Sequence, residues 1–166
     1  MKEYSIDFED LLIKYDVFLK YAVNNGSYMS FMTFQEKPYS KIPPNCRHDK
    51  MTEPLLKFLS KQEVGIRRWA NSGEKDNHRV MNIYECQSGL SKRLLALGNL
   101  LLSDELDLPE DICFYRNRDI WILTVTHERL AYLYDPSEED RKFFRENNIE
   151  IRFLYELENK SFCLNM

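Results

Sequence analysis

The chain has 166 residues, a net charge of −4, 43% hydrophobic and 30% charged residues. A chain of this length buries roughly 70% of its unfolded surface, enough for one hydrophobic core, and the composition is that of a globular rather than a disordered protein. No run approaches the ~20 apolar residues of a membrane helix, and MKEYSIDFEDLL has acids where a secretory leader has bases and an apolar centre, so a cytoplasmic location is expected.

Taken in order, residues 6–23 read as a helix. Ser5 stands at its N-cap, acids fill the first turn, and Leu11, Tyr15, Phe18, Leu19 and Ala22 make an apolar stripe. Asn24-Asn25-Gly26 stops it, with Gly26 free to take positive φ. Residues 28–35 read as a strand apolar on both faces, with Tyr28, Met32 and Phe34 on one and Met29 and Phe31 on the other. A proline-bearing loop spans 37–50.

A helix is expected over 54–71, with Leu55, Leu59, Ile66 and Trp69 inward and Gly65 as a weak point. A surface loop, a strand over 80–86 and a helix over 89–102 follow, the last carrying the stripe Leu90, Leu94, Leu97 and Leu101. Residues 112–115, 121–127 and 130–134 read as three strands joined by short turns. Ser137 then opens a helix with Glu138, Glu139 and Asp140 in its first turn, ending near Asn147-Asn148. The last strand, 149–158, alternates Ile149, Ile151, Phe153, Tyr155 and Leu157 with mostly charged residues, so one face is expected to be open to water.

This order implies one α+β domain over 1–166, helix-rich early and hairpin-rich late. A mostly antiparallel sheet of about four to six strands would carry about four helices, mainly on one face. Trp121, Leu123, Val125, Ile151, Phe153 and the leucine stripe are expected to share one core.

Signals of chemistry are sparse. Cys46, Cys86, Cys113 and Cys163 are far apart and form no CxxC pair, which leaves no thiol metal site and no thioredoxin motif. Cys46, His48 and Asp49 share a proline-rich loop without any signature of a cysteine nucleophile around them. His127 and Glu128 stand at a strand end, where a base and its orienting group can sit, and they carry the enzyme alternative, a small hydrolase. No HExxH follows, and neither metal nor cofactor is implied. Ser88 to Lys92 lacks the glycine spacing of a phosphate loop, and Arg67-Arg68-Trp69 and Lys92-Arg93 lack an aromatic ladder for nucleic acid.

Charge is uneven. Residues 1–50 hold seven bases and seven acids, 51–100 eight and five, and 101–166 eight and fifteen. An acidic last third disfavours a phosphate backbone as ligand and favours a basic protein. The acids form two groups: Asp104, Glu105, Asp107, Glu110 and Asp111 before the first hairpin strand, and Asp135, Glu138, Glu139 and Asp140 after the third. If the first strand starts where the third ends, the groups merge into one patch beside Tyr132 and Tyr134, and tyrosine suits recognition. In size, charge and layout the chain is similar to small acidic bacterial immunity proteins, a likeness with no motif behind it. The expectation is a non-catalytic protein-binding module of the inhibitor or immunity type that covers a basic toxin or nuclease surface. A regulatory or structural subunit of a larger assembly is the other alternative, and a homo-oligomer is compatible with it.

Overall fold

The computed structural model describes residues 1–34, 52–64, 79–98, 102, 110–158 and 163–164. Eight strands form one sheet: β1 Lys2–Ile6, β2 Tyr28–Phe34, β3 Leu59–Val64, β4 Arg79–Glu85, β5 Glu110–Arg116, β6 Asp119–Val125, β7 Leu130–Tyr134 and β8 Ile151–Glu156. Their order is β3-β4-β2-β5-β6-β7-β1-β8, and every neighbouring pair is antiparallel. The described helices are α1 Phe8–Ile13, α2 Tyr15–Asn25, α3 Leu90–Leu95 and α4 Glu138–Glu146, with 3-10 segments at Glu53–Phe58 and Thr126–Glu128. The α+β antiparallel class holds; the eight strands exceed the four to six expected, and the 3-10 segments add to the four helices expected.

Three differences from the sequence expectations have local causes. The first helix does not begin at Ile6. Residues 2–6 are a strand between β7 and β8, and Asp7, not Ser5, caps α1 by accepting from the Glu9 and Asp10 amides. The helical stretch also breaks at Lys14, which separates α1 from α2. The helix expected over 54–71 is instead one 3-10 segment running into edge strand β3. Leu55 and Phe58, three apart, are both buried by that segment, as a 3-10 repeat allows. Residues 65–71 of that expectation lie outside the described residues. Finally, α3 is short: Leu90 and Leu94 are buried, Leu97 is half-buried, and Leu101 lies outside the described residues.

Gly26 ends α2 without positive φ, at φ −88°. A Cβ there would stand 2.8 Å from the Ala22 carbonyl oxygen, so close approach is what requires glycine.

The helices lie on one face, where Phe18, Leu19, Leu55, Leu90, Leu94, Phe114, Ile122, Leu133 and Phe144 form the main core. The second face buries Met32, Met81, Ile83, Cys113, Tyr115, Leu123 and Leu164. Apolar residues on both faces of β2 therefore suit its central place between β4 and β5.

Bulges decide which residues share a face. Phe114 pairs with Ile122 and Tyr115 with Ile120, leaving Trp121 as the extra residue of β6. Trp121 and Ile122 both join the helix-side core, while Leu123 belongs to the other face. The single core expected of Trp121 and Leu123 is thus split between two. In β8, Tyr4 pairs with Phe153 and Glu3 with Tyr155, so Leu154 is extra. Phe153 then meets the Tyr4 ring edge-on at a centroid distance of 5.4 Å but stays 56% exposed, outside the core expected to hold it.

Among the described residues, no helix is long and apolar enough to cross a membrane.

Candidate functional site

The two strand ends that the acidic patch would join do not lie together. Strands β5, β6 and β7 run up, down and up, with Cys113 opposite Leu123 and Leu123 opposite Tyr132. The start of β5 therefore lies at the end of the sheet where β7 starts, and β7 finishes at the opposite end. The start of β5 and the end of β7, which the patch needs side by side, stand a strand length apart. Asp104, Glu105 and Asp107 lie outside the described residues, as does the side chain of Glu110.

Asp111 is buried, which removes it from any contact surface. It sits at a bulge where Asp111 and Ile112 together span Phe31, and its φ of 57° is one that aspartate tolerates. Its carboxylate accepts from the Thr126 amide at 2.9 Å, and its own amide donates to Thr126 Oγ1 at 3.1 Å. This exchange ties the start of β5 to the turn after β6. Tyr134 is likewise buried, and its ring helps form the second-face core. Asp135 is exposed, but its carboxylate accepts the Lys2 amide at 2.7 Å and fixes the start of β1. Glu138 and Glu139 remain on the surface in the first turn of α4.

The hydrolase pair lies on an open turn. Strand β6 stops at Val125, and His127 and Glu128 occupy the 3-10 segment that Arg129 ends at φ 56°. His127 Nε2 lies 3.6 Å from Glu128 Oε1, with about half of each side chain exposed. Neither residue lines the clefts of about 170 and 420 Å³ that flank the β5–β6 turn near Asn117 and Asp119. Among the described residues, no three His, Cys, Asp or Glu side chains are placed to share a metal. The Cys46-His48-Asp49 loop lies outside the described residues.

Two clusters that the sequence reading did not assemble stand on opposite faces of the sheet. In the first, Arg116 at the end of β5 gives two 2.7 Å hydrogen bonds to Asp140, and Tyr21 gives the same carboxylate a third at 2.7 Å. Burial by itself would raise the Asp140 pKa, but the hydrogen bonds from Arg116, Tyr21 and Ser137 outweigh it and hold the carboxyl below its ordinary value of 3.8. Tyr21 stacks on Phe143 at 3.7 Å, and the Arg116 guanidinium lies 3.6 Å over the Trp121 ring. This cluster joins α2, α4 and β5, and it explains why Asp140 caps α4 instead of facing solvent.

The second cluster lies on the other face, across β7, β1 and β8. Glu3 is opposite Tyr134 on one side and Tyr155 on the other, and Ser5 in the next row is opposite Tyr132 and Arg152. Glu3 is 5% exposed, whereas Tyr155 is 50% exposed and Tyr132 half-buried. A hydrogen bond to Glu3 raises the Tyr155 pKa; desolvation, then Glu3, raises those of Tyr132 and Tyr134. The strand β8 itself forms an edge of the sheet, and all of 152–156 is exposed.

Comparison of the chain with protein-family models, with curated proteins and with solved structures finds no match.

Proposed function

We propose that this chain is a non-catalytic protein-binding module of the inhibitor or immunity type, and that its partner presents a basic surface to β8. The observation that carries this reading is the edge strand. Phe153, Leu154 and Tyr155 are 56, 41 and 50% exposed in consecutive positions, at a sheet edge with no strand beyond it among the described residues. Such an edge offers main-chain hydrogen-bonding groups for strand addition and side chains for specificity. Exposed Glu156 and Glu158 follow these residues, and Glu150 precedes them. Acids beside an aromatic and aliphatic centre match the anatomy of an interface, with a charged rim that steers a cationic partner.

The test is affinity capture from the source cell with the wild-type chain and with Phe153→Lys/Tyr155→Lys. Both side chains are exposed, so the variant should keep its far-ultraviolet spectrum and melting midpoint. Support is a basic protein retained by the wild type and lost by the variant. Equal retention by both, or retention of an acidic protein, contradicts the reading.

A further inference from the structure

A carboxylate buried beside aromatic rings needs a compensating group, because removing a charge from water is costly unless it is paired or hydrogen-bonded. At Asp140 that group is Arg116, with the Tyr21 hydroxyl on the same carboxylate and the Trp121 ring under the guanidinium. Glu3 has the corresponding surroundings on the opposite face. Tyr155 stands opposite it on β8 and Tyr134 opposite it on β7, with Tyr132 in the next row. Ion pairs among the described residues engage Lys61, Arg116, Arg129, Arg141, Lys142 and Arg152, and none of these is with Glu3. Arg152, the nearest cation by register, is held by Glu150 through two hydrogen bonds of 2.7 and 2.8 Å.

We propose that Glu3, Tyr132, Tyr134 and Tyr155 form a receptor for one guanidinium group, supplied by an arginine side chain of the partner; the source of that arginine rests on the protein-binding reading above. Arginine fits better than lysine because its planar fork can give two bonds to a carboxylate while a face lies against a tyrosine ring. Access runs past Tyr155, a half-exposed edge residue whose side chain can change rotamer on a picosecond to nanosecond scale. Tyr155 of the receptor lies on the same strand as Phe153 and Leu154, and Glu3 lies on the neighbouring β1, so a partner seated on β8 would bring its arginine close to Glu3.

The probe is N-acetyl-arginine amide, titrated at neutral pH and followed by the tyrosine ring resonances. The wild type should show saturable shifts of Tyr132 and Tyr155 at concentrations on the order of millimolar. Glu3→Gln should weaken binding by roughly tenfold or more, and Tyr155→Leu by several-fold. If Glu3→Gln does not fold, the exposed Tyr155→Leu decides alone. The uncharged N-acetyl-norleucine amide should give no saturable shift. Non-saturating shifts, equal binding by wild type and the folded variants, or equal binding of tetramethylammonium would overturn the guanidinium receptor. Failure of that receptor with partner capture intact leaves the protein-binding reading standing. Probe binding without any captured partner removes that reading and leaves the receptor.

Discussion

Arg116 holds Asp140 with two 2.7 Å hydrogen bonds while its guanidinium lies 3.6 Å over Trp121, the extra residue of the β6 bulge. A strand end, a helix N-terminus and a bulge are thus fixed by one ion pair whose carboxylate side chain is fully buried. Removing one partner of such a pair leaves the other uncompensated. Asp140→Ala should destabilise the fold by roughly 3–5 kcal/mol, measured by urea unfolding at pH 7. A loss under about 1 kcal/mol would mean that water replaces the carboxylate freely.

The same pair sets an acid limb of stability. The folded-state pKa of Asp140 lies below 3.8, so the unfolded chain takes up the proton first as pH falls. The contribution is complete well above 3.8 and is lost as pH drops through the folded value. Asp140→Asn should therefore flatten the unfolding midpoint against pH below about pH 4, relative to the wild type. An unchanged slope there would assign the acid limb to other carboxylates.

Asp111, expected on a binding surface, should instead behave as a structural residue. Asp111→Ala removes the acceptor of the buried Thr126 amide and places alanine at a positive φ. The expected cost is about 1–3 kcal/mol in thermal or urea unfolding, while Asp111→Asn, which tolerates that backbone, should lose less. Equal costs for the two would show that the backbone conformation is not limiting.

Leu94 and Leu97 separate the buried and rim parts of the leucine stripe. Leu94→Ala should cost roughly 2–5 kcal/mol and Leu97→Ala distinctly less, because only Leu94 is fully enclosed. The reverse order would relocate the inner face of α3.

Thiol labelling gives an independent check on both cores. Burial pushes the Cys86 thiol up to about 12, and burial and then Asp111 raise Cys113 well above the ordinary thiol value, whereas Cys163 is exposed. Iodoacetamide at pH 8 should modify Cys163 in the native chain, and Cys86 and Cys113 only in denaturant, as read by peptide mapping. Native labelling of Cys113 would contradict the second-face core.

The legible parts of the fold were those governed by short-range rules. Ser137 with Asp140 forms a capping box that opens α4, and Asn147-Asn148 closes it with Asn148 at φ 54°. The β5–β6–β7 meander also follows from its turns. Strand β1 was hidden because Lys2–Ile6 is short and its Glu3 points into a buried face, against the polarity expected of an acid. Residues 54–64 carry leucines at helical spacing, yet pairing with β4 prevails over that pattern beyond Phe58. Trp121 and Leu154 are bulges, and one extra residue exchanges the faces of everything after it, so alternation could not assign Leu123 or Tyr155. The candidate surface was only partly legible: Tyr132 and Tyr134 were found by residue type, but Glu3 and Tyr155 join them only through the β7-β1-β8 order.

The most direct test of the account is amide hydrogen exchange of the free chain against the chain in its captured complex. Residues 151–156 of β8 should be slowed by roughly tenfold or more in the complex, because an added partner would shield the edge and its amides. Unchanged exchange throughout β8, with protection confined to the turn at His127 and Glu128 or to the start of α4, would contradict the claim that this edge is the binding surface.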